Sequence, residues 1–305
     1  NSKQKSTHGG PSRNQGRRAP KGKRITQSIC LTPENTAFLK FGLHYDDLFK
    51  SGILLNYTKK RLLAKNDVAS LDLILGDNIR YNFDYYVDNG FYFSFGFRSR
   101  FNQFNKNISS DFSQTLVNNQ PNINTLNIDY ADFTNQAYVQ TIYSRKFLIG
   151  AGVELKHLKI STQTLALDSS IFDNSDYFSA FGYLKYDTFD NKYFPKKGWY
   201  FFADGQTYLF SSNYSNRFNR FSILKADAGW AKKIGRKATV KIQTEAGLSI
   251  GNESVPFLNF VLGGYGYSPI NNFKHFYGYD FIAIQSDSFI KSGATFDYEI
   301  FRKNH

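Results

Sequence analysis

The sequence predicts an all-β fold, an antiparallel transmembrane β-barrel, and three observations support this prediction. First, residues 238–250 alternate between a mainly apolar and a mainly polar side, as in a strand with one apolar face. Second, a strand of this length, tilted by about 45°, rises roughly 30 Å and matches the hydrocarbon core of a bilayer. Third, the chain contains 31 Phe and 21 Tyr, yet its mean hydropathy is negative. No segment has the roughly 20 consecutive apolar residues of a membrane helix, and strands cross lipid only as a closed barrel.

Twelve strands are predicted from residue 38 onward, joined by turns and loops and without a helix. In the fifth strand, Phe93, Phe95 and Phe97 alternate with small or polar residues. In the tenth, Leu224 and Trp230 project to the side opposite Lys225. Such alternation is expected of strands that separate lipid from a hydrated lumen. The predicted ranges are 38–45, 51–59, 68–76, 80–86, 91–101, 127–145, 147–157, 178–187, 199–210, 219–232, 238–250 and 292–302.

The lengths of the connections test this prediction independently. Long connections follow the fifth, seventh and eleventh strands, at 102–126, 158–177 and 251–291, whereas the connections after even-numbered strands are shorter turns. An up-and-down barrel places all odd connections at one end, and outer-membrane barrels have short periplasmic turns and long external loops. If the first strand enters from the periplasm, the long loops therefore lie outside the cell.

The composition divides the chain into two parts. Residues 1–35 are predicted to be a disordered basic linker or an artefact of sequence assembly, and residues 36–305 an incomplete outer-membrane barrel domain. An RNA-binding arm or a segment attracted to anionic lipid would have a similar composition, but we expect no nucleic-acid partner. The basic residues of 1–30, which contain no acidic residue, are Lys3, Lys5, Arg13, Arg17, Arg18, Lys21, Lys23 and Arg24.

The residues that usually carry chemistry form no recognisable site. The single cysteine, Cys30, excludes an internal disulfide, and the five histidines lack the spacing of metal ligands. Residues 247–251 match the G-x-S-x-G pattern of a nucleophile elbow, but that elbow needs a strand-to-helix turn, and here the pattern ends a long strand. We predict no catalytic residue, no cofactor and no metal site in this part of the protein.

A turn near the middle of the chain resembles a known signature. Residues 186–200 are similar to the strand–turn–strand segment of the bacterial surface antigen superfamily, which comprises outer-membrane assembly-factor barrels. Asp190 and Asn191 begin the turn, a proline prevents further strand pairing, and a glycine permits the chain to re-enter the sheet. The residues of this turn motif are Asp187, Asp190, Pro195 and Gly198.

A second resemblance concerns the longest connection. Residues 256–264 and 276–279 are similar to the sixth external loop of that superfamily, which in the family folds back into the lumen. The family's loop motif has an arginine where this chain has Tyr277, so the family's arginine–carboxylate lock cannot form there; Tyr277 could instead form a hydrogen bond in the lumen. The resemblance implies Asp297 and Glu299 as loop partners. The lumen-loop motif comprises Gly263, Gly264, Phe276, Tyr277, Gly278 and Tyr279.

The resemblance also implies how much of the barrel is present. In the superfamily the sixth loop joins strands eleven and twelve of about sixteen, which agrees with the twelve strands predicted here. We therefore expect the natural protein to continue past His305 with about four more strands, because unpaired strand edges are untenable in lipid.

Within the superfamily, residues 41–52 and 76–82 most resemble barrels fused behind patatin-like phospholipase domains, which are common in Bacteroidetes. This resemblance implies a bacterial outer-membrane barrel that anchors, and in a further role exports, an upstream lipid acyl hydrolase. The implied partners are outer-membrane lipid, the upstream patatin-like or periplasmic repeat domain, and the outer-membrane assembly machinery. The alternatives are an insertase or translocase barrel with periplasmic transport-associated repeats, and a passive porin.

Overall fold

The computed structural model describes residues 36–109, 125–143, 146–162, 171–213, 218–251, 258–264 and 272–300. The predictions made for residues 1–35 lie outside these ranges. Twelve strands form one antiparallel sheet in which neighbours along the chain are also hydrogen-bonded neighbours, and three short strands form a second sheet. The strands of the large sheet are β1 (Ala37–Asp46), β2 (Lys50–Lys60), β3 (Asp67–Gly76), β4 (Arg80–Val87), β5 (Ser94–Ser109), β6 (Thr125–Tyr143), β7 (Phe147–Thr162), β8 (Ile171–Asp187), β9 (Lys197–Ser211), β10 (Phe221–Ile234), β11 (Ala238–Ile250) and β15 (Ser288–Tyr298).

All twelve predicted strands are present, and the antiparallel meander confirms the predicted fold class. Several predicted ends were wrong. The fifth strand was predicted at 91–101, but it begins at Ser94 and continues to Ser109. The connection predicted at 251–291 is also not a plain loop, since it contains the small sheet of β12 (Phe260–Leu262), β13 (Phe273–Lys274) and β14 (Ile284–Ser286). No helix among the described residues is long and apolar enough to cross a membrane.

The two faces of the large sheet differ as predicted along most of its height. On β5, Phe95 is 52% exposed whereas Ser94 is 1% exposed. On β10, Leu224 is exposed and Lys225 is buried, and the same parity continues on β11. Because successive side chains of a strand point to opposite faces, the apolar face is the outer face. The buried polar side chains line the inner face, which we call the lumen.

This polarity reverses at the end of β5–β8 that carries the long loops. There the lumen side is apolar, with Phe104, Leu126 and Leu158 buried. The outer side is polar, and Asn105 Nδ2 donates to Asp129 Oδ1 at 2.6 Å between β5 and β6. A polar outer face fits water rather than lipid, so these strands extend beyond the membrane. We call this the loop end, and the opposite end the short-turn end.

The large sheet has two edges. Among the described residues, β1 pairs only with β2 and β15 pairs only with β11. The other strands each have two hydrogen-bonded neighbours.

Candidate functional site: the plugged lumen

The segment between β11 and β15 lies against the lumen wall. Phe260 and Leu262 of β12 are buried in the same apolar cluster as side chains of β5–β10. The ring of Phe273 on β13 lies 5.9 Å from that of Phe104 and 6.0 Å from that of Tyr130. These contacts place residues 258–264 and 272–287, which we call the lumen plug, inside the loop end of the barrel. The predicted folding back of this connection is therefore present.

A glycine of the wall allows the plug to approach closely. A Cβ atom at Gly247 of β11 would lie 2.5 Å from Phe260 and at the same distance from Phe289. The rings of Phe260 and Phe289 meet edge to face at 4.9 Å. Any larger residue at 247 would displace one of these rings. The G-x-S-x-G pattern thus contributes packing on a strand, and no α-helix follows it among the described residues.

The predicted lumen-loop motif forms one hydrogen-bonded unit. Gly264 N–H donates to Tyr279 O at 2.9 Å, and Phe276 N–H donates to Gly264 O at 3.1 Å. Gly263 has φ 144° and Gly264 has φ 68°, and a Cβ at Gly263 would lie 2.0 Å from Asp280 O. The two glycines are therefore required by backbone conformation and by close approach. The sequence placed these residues in one motif, and the structure brings them together.

Tyr277 stands at the position where the family has an arginine, and its side chain is 74% exposed. Its ring contacts that of His275 at 5.6 Å, and no side-chain hydrogen bond of Tyr277 occurs within the described ranges. Glu299 Oε2 lies 3.9 Å from Lys196 Nζ, near the short turn between β8 and β9. Asp297 lies on β15 opposite Thr239 of β11. The pairing of Asp297 and Glu299 with the loop stays a prediction.

A lysine on β5 ties the plug to two other parts of the chain. Lys106 Nζ lies 2.6 Å from Asp47 Oδ2 in the β1–β2 turn and 3.1 Å from Asp280 Oδ1 in the plug. The hydrogen bond from Lys106 lowers the pKa of Asp47, and a second one from Lys50 lowers it further. The carboxylate is therefore charged at neutral pH. Sequence reasoning missed this tether, since its members lie far apart in the chain and no spacing connects them.

The β1–β2 turn itself contributes to the closure of the lumen. Leu48 and Phe49 are buried, and the ring of Phe49 meets that of Phe104 edge to face at 5.9 Å. The guanidinium carbon of Arg80 lies 3.6 Å from the Phe49 ring centroid, a cation–π distance. A turn of three residues thus inserts an aromatic side chain next to the plug.

Beneath the plug lies a belt of buried charge. Lys156 Nζ is 3.4 Å from Asp132 Oδ2 and 3.8 Å from Glu154 Oε1. Glu154 also accepts hydrogen bonds from Gln136 at 2.6 Å and Gln206 at 2.7 Å. Buried charges are tolerated when they are paired and hydrogen-bonded in this way. The belt crosses β6, β7 and β9, so it fixes the wall and provides no free nucleophile or base.

The turn motif forms the short-turn end of the same lumen. Asp190 Oδ1 accepts hydrogen bonds from the N–H groups of Lys196 at 2.8 Å and Lys197 at 3.2 Å. Partial desolvation raises the pKa of Asp190, but these backbone donors outweigh it and the net shift is downward. Pro195 is buried. Gly198 has φ 117°, and a Cβ there would lie 2.4 Å from Thr188 O, so only glycine fits.

A cavity of about 680 Å³ adjoins this turn inside the barrel. Phe189 of the turn reaches it and stacks on Tyr200 with 6.1 Å between ring centroids. Asp187, the first residue of the predicted motif, also lines it and lies 3.5 Å from Lys185. Among the described residues, the lumen thus contains a cavity at the short-turn end and an apolar cluster at the loop end. Within the described ranges, no group of three His, Cys, Asp or Glu could hold a metal ion.

Burial lowers the pKa of His275 in the plug, and the nearby ammonium groups of Lys291 and Lys274 lower it further. Glu245 and Asp227 raise it, but burial and Lys291 have the larger effects and the net shift is downward. The imidazole is therefore neutral at neutral pH. Lys291 Nζ also donates to the backbone oxygen of His275 at 3.1 Å and lies 2.7 Å from Glu245 Oε1, which connects this part of the plug to β11 and β15.

A lipid-facing meander with an inward-folded loop defines a class, the plugged outer-membrane β-barrels. Residues 28–305 match the OMP85 superfamily, and the chain belongs to this superfamily. The fold is similar to that of BamA from Haemophilus ducreyi lacking POTRA domains 1–3, with a TM-score of 0.59 and 14% identity over 76% of this chain and 45% of that chain. The chain thus spans less than half of that solved chain. No curated protein matches the sequence.

The match confirms three predictions. The resemblance to the surface-antigen and assembly-factor superfamily is confirmed by the family match, and the barrel fold by the likeness to a solved barrel. Membership of the superfamily places the chain in the bacterial outer membrane.

Proposed function

We propose that this barrel anchors an upstream patatin-like phospholipase domain to the outer membrane and, in a further role, exports it. The observation that carries the proposal is the contact between the two segments that resemble such barrels, 41–52 and 76–82. Ser51 Oγ donates to Asp77 Oδ2 at 2.7 Å, and Asn78 Nδ2 donates to Phe49 O at 3.2 Å. The two segments, distant in sequence, thus form one unit at the edge of the plug.

The position of residue 36 supports an upstream domain on the periplasmic side. Lys60 N–H donates to Thr36 O at 2.7 Å, next to the turn between β2 and β3. The chain therefore enters β1 at the short-turn end, and short turns of outer-membrane barrels face the periplasm. A domain that precedes β1 would therefore lie on that side of the membrane. Its partners would be outer-membrane lipid and the machinery that assembles outer-membrane proteins.

The filled loop end argues against a passive porin. Among the described residues, the plug, the β1–β2 turn and the wall share one apolar cluster, and polar solutes cannot pass through side chains packed in this way. The second candidate is an insertase or translocase, which the likeness of the fold to BamA favours. Tyr277, at the position of the family's arginine, counts against it.

The experiment compares the full-length protein with a version that lacks residues 36–305. We expect the full-length protein to release fatty acid from phospholipid vesicles and to fractionate with outer membranes. The truncated version should keep hydrolysis but move to the soluble fraction. The matched control is the full-length protein with its upstream serine replaced by alanine, which should stay in the membrane without activity. Tandem periplasmic repeats upstream, with no hydrolysis by the intact protein, would support the insertase instead.

A further inference from the structure

The outer face of β6–β11 contains an apolar groove of about 870 Å³. Its floor consists of residues with little or no side chain, and its walls of leucine, isoleucine and valine. Gly182 of β8 lies opposite Gly205 of β9, and Ala203 of β9 lies opposite Ala226 of β10. Leu184 stands on one side of this floor and Leu224 on the other. The groove lies within the lipid-facing band of the sheet, so the acyl chains of lipids are in contact with it.

Towards the short-turn end the groove leads to the two tryptophans of the chain. Along β10, Ala226 is followed on the same face by Ala228 and then by Trp230. Trp230 lies opposite Trp199 of β9, with 5.8 Å between the ring centroids. Tryptophan is enriched where a bilayer meets water. The pair therefore marks the level of the lipid headgroups.

Two lysines lie directly beyond the tryptophans. Lys232 pairs with Lys197 across β10 and β9, and Lys232 Nζ lies 6.0 Å from the Trp230 ring centroid. Both side chains are exposed, and within the described ranges neither ammonium group forms an ion pair. The backbone N–H of Lys197 does donate to Asp190. Like charges placed directly opposite each other destabilise a sheet, so this pair favours an anion between them.

We propose that the groove, the tryptophan pair and the two lysines form a binding site for one anionic phospholipid of the periplasmic leaflet. An acyl chain lies on the floor of Gly182, Ala203 and Ala226. The glycerol region rests at Trp199 and Trp230, and the phosphate lies between Lys197 and Lys232. The apolar groove selects a lipid over free phosphate, and the lysines select an anionic headgroup over a zwitterionic one. The inference depends on the outer-membrane location alone and is independent of the proposed phospholipase partner.

Tryptophan fluorescence tests the site directly, because Trp199 and Trp230 are the only tryptophans of these 305 residues. The full-length protein, with any tryptophan elsewhere replaced by phenylalanine, is reconstituted in phosphatidylcholine vesicles. In two parallel preparations, a small fraction of the vesicle lipid is either phosphatidylglycerol or phosphatidylcholine that carries bromine on the acyl chain near the glycerol. Since both lysines attract anionic lipid near a membrane surface, we expect brominated phosphatidylglycerol to quench at a roughly thirtyfold lower mole fraction than brominated phosphatidylcholine.

The charge arm of the test uses two double variants. Lys197→Gln with Lys232→Gln should abolish the preference for phosphatidylglycerol. Lys233→Gln with Lys241→Gln removes the same charge from the opposite face of the sheet and should leave the preference intact. The proposal is overturned if the first double variant keeps the preference for phosphatidylglycerol. It is also overturned if both double variants lose this preference equally, since the net charge of the protein would then explain it.

A second set of variants fills the floor of the groove without changing the charge of the protein. Ala226→Leu should weaken quenching by phosphatidylglycerol severalfold, because its acyl chain can no longer lie against β10. Ala137→Leu, on the outer face of β6 and outside the groove, should have no effect. Inorganic phosphate added to the vesicles should not compete at concentrations similar to that of the lipid. Equal quenching in the two leucine variants, or competition by free phosphate, would contradict a lipid site.

Discussion

The two ends of the barrel are closed by different means. At the loop end, apolar side chains from β5–β10, the plug and the β1–β2 turn pack into one cluster. At the short-turn end, the turn between β8 and β9 is held by hydrogen bonds to Asp190 and by the positive φ of Gly198, beside a cavity lined by polar and apolar side chains. The difference shows that the polarity of the side chains on each face of a strand matches what that face contacts. Depending on the height along the strand, the contact is lipid, water or the plug.

The largest expected effect is at the loop end. Leu158 of β7 is fully buried on the lumen side, so Leu158→Ala removes apolar contacts and leaves a cavity. We expect the free energy of unfolding to fall by about 3 kcal/mol, measured by urea titration in vesicles. The neighbouring Lys159→Ala, on the exposed outer face, should change it by less than about 0.5 kcal/mol. Equal losses in the two variants would mean that the lumen side is not packed at this height.

The next effect is at the short-turn end. Gly198→Ala forces a non-glycine residue into a left-handed conformation and brings its Cβ against Thr188 O. We expect a loss of about 2–3 kcal/mol in the same titration. Gly235 provides the matched control, because it has φ 67° and a Cβ there would meet nothing within 4 Å. Gly235→Ala should cost about 1 kcal/mol. Equal losses of stability in Gly198→Ala and Gly235→Ala would show that the close approach to Thr188 O contributes nothing.

The same comparison explains what the sequence could and could not predict. Predicted strands ended at 101 and 157 and began at 178, whereas β5 and β7 continue to Ser109 and Thr162, and β8 begins at Ile171. These errors fall where the outer face changes from apolar to polar and the lumen face does the reverse. Apolar and polar residues still alternate there, but the apolar residues no longer lie on the outer face. The pattern that predicts a lipid-facing strand therefore ends before the strand does. The lumen-loop and turn motifs are local in sequence and could be proposed from it, and their roles stay predictions, whereas the tether of Asp47, Lys106 and Asp280 joins distant residues and was missed.

A third prediction tests the change from lipid to water along the outer face of β7. Val153 and His157 lie on the outer face of β7, and their exposures are similar, 44% for Val153 and 45% for the His157 side chain. Val153→Lys should destabilise the barrel by about 2 kcal/mol, because its ammonium group would lie in the hydrocarbon region. His157→Lys should be nearly neutral, since Asp176 can pair with the new cation in water. If both lysines cost the same, the membrane boundary does not lie between these positions.

The smallest expected effect is a pH dependence of the plug. The pKa of His275 is lowered in the folded protein, so the unfolded segment, with an ordinary pKa of about 6.5, binds a proton more readily. The plug therefore has its full stability above about pH 6.5 and loses part of it as the pH falls towards the lowered pKa.

Amide exchange measures this loss at the motif. After correction for intrinsic rates, the N–H groups of Gly264 and Phe276 should exchange faster at about pH 5.5 than at about pH 7.5, because protonation of His275 is disfavoured beside Lys291 and Lys274. His275→Gln should remove the difference, since glutamine has no charge to gain. A pH dependence that persists in this variant would assign the effect to another group and would contradict the role of His275.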